Sequence, residues 1–109
     1  MAKYEFGIME NPPVKGKRYD EYNPKKYPRL IYVYDDDLDP FLPMMNGEIY
    51  WHTLDVRADV IAMAGINLIP PHTCLEFAKI IAASPALSEL ENLLRTAHSE
   101  EKFVILFGL

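Results

Sequence analysis

Polar and apolar residues alternate over residues 3–9 (KYEFGIM), with Tyr4, Phe6 and Ile8 on one side, and this period of two predicts a strand. Leu30–Tyr34 (LIYVY) predicts a second, since β-branched and aromatic side chains suit a pleated, half-buried surface. Between them, residues 10–28 carry Pro12, Pro13, Pro24, Pro28 and Gly16. Proline fixes φ and removes a backbone donor, so a long loop is expected there. Tyr19, Tyr22 and Tyr27 give that loop the means to pack onto the body. Past a segment broken by Pro40 and Pro43, Asn46-Gly47 marks a tight turn, and residues 48–53 (EIYWHT) predict a third strand.

Residues 54–69 support two readings. Val56, Val60, Met63 and Ala64 fit a helical spacing, but no charged residue occurs from Val60 to Ile69, so a surface helix would have no strong polar face. Gly65 and Asn67 also disfavour a helix interior. The favoured reading is a turn near Asp55–Ala58, then a buried strand from about Asp59 to Ile69 that stops at Pro70-Pro71.

Two helices follow. Thr73 and Glu76 have the spacing of a capping box, and Leu75, Ala78, Ile81 and Ala82 share a face that Phe77 and Ile80 widen. Ser84-Pro85 reads as a fresh N-cap with proline behind it, opening a helix with Leu87, Leu90, Leu94 and Ala97 on one stripe. The chain closes on Phe103–Phe107 (FVILF), an apolar run without alternation, which predicts a central strand covered on both faces. The expected fold is therefore α+β: a two-layer domain with about five strands, two helices of the C-terminal half on one face, and a long proline- and tyrosine-rich loop. The second face needs a cover, either the 10–28 loop or a second copy of the chain.

Composition narrows the picture. At 109 residues the chain is expected to form a single domain, 1–109. Its 50% apolar content argues against disorder. Nowhere do about 18 apolar residues run together, so no membrane partner is expected. The start, Met-Ala-Lys-Tyr-Glu-Phe, lacks a secretion pattern, and Cys74 is the lone cysteine; together these favour a cytoplasmic location. Net charge is −5, unevenly spread: Lys15–Arg29 holds six of the eleven basic residues against two acids, a local +4, leaving −9 elsewhere. Two surfaces of opposite sign are expected.

Candidate chemistry is sparse. Counting from Asp35, the sixth and twelfth positions of a calcium loop would be Pro40 and Asn46, so the pattern fails and a solvated acidic turn is expected instead. His72-x-Cys74 and His52-x-x-Asp55 are close pairs without a second pair at zinc spacing. No metal and no cofactor are expected. Cys74 beside Leu75 reads as a small core residue rather than a nucleophile, and no catalytic residue is assigned. The scattered glycines give dinucleotide binding no support. The basic, tyrosine-bearing loop suits a phosphate backbone, but a pI near 5.1 sets the rest of the molecule against nucleic acid. Trp51 reads as core, leaving Tyr50 and His52 on the opposite, exposed face of their strand.

The leading expectation is a small, acidic, non-enzymatic protein-binding domain that captures a basic protein, as an antitoxin or immunity protein would, through Asp35, Asp36, Asp37, Asp39, Tyr50 and His52. The first alternative is a small enzyme or ligand-binding domain built on Asp35–Asp39, His52 and Asp55. The second is a structural homo-oligomer, joined through an apolar sheet face.

Overall fold

The structure, a computed structural model, describes residues 2–62 and 64–108. Five strands form one antiparallel sheet: β1 (Lys3–Ile8), β2 (Ile31–Tyr34), β3 (Tyr50–Trp51), β4 (Ile66–Ile69) and β5 (Val104–Phe107), in the order β2-β1-β5-β4-β3. A short helix α1 (Asp35–Leu38) and a 3-10 segment (Asp39–Met44) lead away from β2. The two long helices, α2 (Pro71–Ile81) and α3 (Ser88–Ser99), pack against each other over one face of the sheet. The fold is α+β, as the pattern predicts, and β5 lies between β1 and β4 with all four residues buried.

Alternation sorts the side chains into two layers. Tyr4, Phe6, Ile8, Val104 and Leu106 face the helices, where they meet Phe77, Ile81, Leu90 and Leu94. Ile66, Leu68, Ile105 and Phe107 face the other way and form a second cluster with Met9. The 10–28 segment covers this second layer, with Tyr19 and Tyr27 packed on it. The Tyr22 ring meets the Phe107 ring edge-on at 5.1 Å. The chain thus supplies its own cover, and burial of this face requires no second copy. Gly7 makes it possible: a Cβ there would stand 3.0 Å from both the Tyr27 Cβ and the Leu30 Cδ1. The loop is closed at its far end by an ionic cluster in which Arg29 bonds Glu10 at 2.7 Å and Glu100 at 2.9 Å, while Lys102 reaches Glu10 at 2.6 Å.

Several local expectations are corrected. The third strand is only Tyr50–Trp51, because His52 turns to a left-handed φ of 64° and leaves the extended conformation. The long strand expected from Asp59 shrinks to Ile66–Ile69, since left-handed backbone at Asp59 (φ 66°) and Gly65 (φ 87°) interrupts it. Met63, one of the residues with helical spacing, lies outside the described residues. The capping box does not form. Helix α2 starts at Pro71, and Thr73, fully buried, donates its hydroxyl to the Glu48 carbonyl at 2.9 Å. Of the expected face, Phe77, Ala78 and Ile81 are buried, and Thr73 and Cys74 complete the buried stripe in place of Leu75 and Ala82. Ser84 precedes a 3-10 turn (Pro85–Leu87) rather than α3 itself and makes no side-chain cap. Trp51 is not core: it sits on a two-residue edge strand and is 40% exposed. The acidic stretch is the helix α1, not a turn; acids in the first turn oppose the positive end of the helix dipole.

Candidate functional site

The six residues expected to form a partner surface do not share one. Asp35 follows β2 directly, on one edge of the sheet, whereas Tyr50 belongs to β3 on the other. Through the register Tyr50–Leu68–Ile105–Gly7, the β3 residue is level with Leu30, four positions before Tyr34. Tyr34, which Asp35 follows, is thus about 19 Å from Tyr50 across the strands and about 13 Å along them.

At the β2 edge, the acids have different neighbours. Asp35 accepts the Asp36 amide at 2.9 Å, Asp36 is exposed, and Asp37 is half-buried. Asp39 is committed to the fold: it accepts the hydroxyl of the fully buried Tyr4 at 3.0 Å. Burial, and then this bond, push the Tyr4 hydroxyl up to about 12. The aromatic side chains beside the acids are Tyr32 and Tyr34, 51% and 40% exposed, their rings edge-on at 5.6 Å. Lys3 lies 4.7 Å over the Tyr32 ring. An edge strand with two outward tyrosines therefore runs straight into three acids. The LIYVY pattern held the signal, because Val33 between them is buried, but alternation is silent on which strand is an edge.

At the β3 edge, Tyr50 and His52 are bound into the structure. The Tyr50 hydroxyl donates to Glu48, which also faces His72 Nε2 at 2.9 Å. These contacts, Tyr50 foremost, hold the Glu48 carboxyl below its ordinary value. His52 clamps the loop. Its carbonyl accepts the Tyr19 amide at 2.6 Å, and its Nδ1 stands 2.7 Å from Asp20 Oδ1. The second contact is a close approach without hydrogen-bond alignment. Nε2 accepts the Ile66 amide at 3.4 Å, which assigns the ring proton to Nδ1, facing the carboxylate. Asp20 is held below its ordinary carboxyl value first by Arg18, 2.9 Å away, and then by His52. Sequence spacing pointed to Asp55 as the partner of His52, but Asp55 lies against Thr53. Asp20 is 32 positions from His52, and no local pattern links them.

Cys74 is fully buried with its Sγ 3.6 Å from the Ile69 carbonyl, and burial pushes its thiol up to about 12. It is a core residue. Among the described residues, no three His, Cys, Asp or Glu side chains converge on a point where a metal ion would fit. No described helix is long and apolar enough to cross a membrane.

No protein-family model, curated protein or solved structure matches the chain. The reading of its function rests on its own surface.

Proposed function

We propose that this chain is a non-enzymatic binding domain that captures a basic protein on the β2 edge, in the manner of an antitoxin or immunity protein. The observation that carries the reading is the placement of exposed Tyr32 and Tyr34 next to Asp35, Asp36 and Asp37. Tyrosine is rigid, amphipathic and enriched among residues that dominate interface energies. Three carboxylates within one turn repel one another in the free protein, and a cationic partner relieves that repulsion and is steered towards it. The backbone contributes as well, since an edge strand offers unpaired amides and carbonyls to an incoming strand. The expected set is thereby narrowed: Asp39 serves Tyr4, while Tyr50 and His52 serve the opposite edge.

A pull-down from the native host tests this with three baits: wild type, Tyr32→Ser with Tyr34→Ser, and Asp35→Asn with Asp36→Asn and Asp37→Asn. One basic protein is expected on the wild-type bait, weakened by salt. Each variant should bind it at least about tenfold more weakly, the loss typical of an interface anchor. Equal recovery on all three baits would overturn the assignment of this edge.

A further inference from the structure

The 10–28 segment does more than cover the sheet, because it leaves space beneath itself. Two adjoining cavities of about 310 and 330 Å³ lie between the loop and the second sheet layer. Both are lined by Lys17, Tyr19, Lys26 and Tyr27, with Ile105 at the floor of one and Met9 at that of the other. Volumes of this size suit small-molecule sites, which are commonly apolar with a few placed polar groups.

The charges around this space are unequally satisfied. Of the acids that line it, Glu10 is held by Arg29 and Lys102, and Asp20 by Arg18; Glu21 stands exposed at the rim. Lys17 and Lys26 have no carboxylate within 4.0 Å among the described residues. Lys17 instead lies 5.3 Å over the Tyr19 ring. Lys15 and Lys25 add positive charge beside them in the chain. The Tyr27 hydroxyl has no hydrogen-bond partner among the described residues, and burial raises its pKa, so it stays a donor at neutral pH. Two cations without a nearby carboxylate among the described residues, a tyrosine hydroxyl and two aromatic rings thus border two adjoining, half-open clefts.

We propose that this space binds a small organic anion, an aromatic phosphate or carboxylate, with its charged group at Lys17 and Lys26 and its flat body against Tyr19 and Tyr27. The lysines are fit for the charge because each ammonium supplies three donors and has no carboxylate within 4.0 Å among the described residues. The rings are fit for the body because a planar apolar group leaves water for the tyrosine faces, Met9 and Ile105. Half-open clefts of this volume accommodate a small ligand. This site is separate from the β2 edge, and either proposal stands if the other fails.

Titration by calorimetry and by amide chemical shift is the test, on wild type, Lys17→Gln and Lys26→Gln. Four probes separate the parts: phenyl phosphate, benzoate, inorganic phosphate and benzyl alcohol. At least one aromatic anion is expected to saturate, shifting amides of residues 17–27 and of Met9 and Ile105, and weakening with salt. The better of phenyl phosphate and benzoate identifies the charged group. Each lysine variant should weaken it about tenfold, in line with one lost charge-assisted bond. Both lysines are exposed, so the variants are expected to keep the wild-type fold, and circular dichroism checks this. Inorganic phosphate binding as tightly as phenyl phosphate would overturn the role of the rings. Failure of both aromatic anions to saturate at millimolar concentration, or binding unchanged in both variants, would overturn the site.

Discussion

Thr73 shows how one side chain changes role with context. Its spacing to Glu76 suits a cap, yet the chain is already helical at Pro71, and the hydroxyl instead satisfies the Glu48 carbonyl beside β3. Thr73→Val keeps the volume but leaves that carbonyl without its partner in a part-buried setting. A loss of about 1–3 kcal/mol is expected by denaturant titration. Thr73→Ser should retain most of the stability; equal losses in both variants would mean that the methyl group, not the hydrogen bond, matters. Cys74, one position on, is sealed on every side, and burial holds its thiol protonated far above neutral pH. Because the thiolate is the reactive species, alkylation by iodoacetamide at pH 8 is expected to be slow in the native protein and fast in denaturant. Equal rates in the two states would contradict its placement in the core.

The loop and sheet depend on each other as elements. Gly7 is the close-approach point, and its missing Cβ lets Tyr27 and Leu30 lie on β1. Gly7→Ala forces the Tyr27 Cβ, which is not the far end of a flexible side chain, to move. The expected cost is about 1–3 kcal/mol, as for other overpacked cores. The displaced loop should also be cut faster by trypsin at Lys17, Arg18, Lys25 or Lys26. Unchanged stability and unchanged cleavage would show that the loop does not rest on this strand. At the other end of the sheet, the His52 clamp explains why so short a β3 persists: Tyr19, Asp20 and Ile66 all meet His52 where the strand ends. Alternation anticipated β1, β-branched and aromatic composition β2, an unbroken apolar run β5, and the leucine stripe α3. It overextended β3 and β4, because left-handed residues such as His52 and Asp59 carry no strong signature when they are not glycine.

For the whole molecule, the ionic cluster of Glu10, Arg29, Glu100 and Lys102 joins the exit of β1, the end of the loop, and the α3–β5 connection. Hydrogen bonds from Arg29, then Lys102, hold the Glu100 carboxyl down at about 2, against an ordinary value of 4.5. Glu10 is lowered by Lys102 and then Arg29. The folded protein keeps these groups ionised where the unfolded chain takes up protons, so their contribution is present in full above about pH 4.5 and fades as the pH falls towards 2. Arg29→Gln is therefore expected to lower the denaturant midpoint at pH 7, with the gap to wild type closing by pH 2 and narrowing in salt. A gap independent of pH would remove the carboxylates from the explanation.

Local pattern by itself determined the α+β class, the central burial of Val104–Phe107 and the buried face of α3, because periods of two and 3.6 and unbroken apolar runs are properties of a few consecutive residues. It also marked the loop, whose prolines leave room for no more than the 3-10 turn Pro24–Lys26. Only the tertiary structure decided which strands became edges, and with that the exposure of Trp51, Tyr32 and Tyr34. It likewise brought Asp20 to His52 and Thr73 to Glu48, and separated Asp35 from Tyr50 by the width of the sheet. Each of these depends on strand order, which links residues far apart in the chain, and no window of neighbouring side chains encodes it.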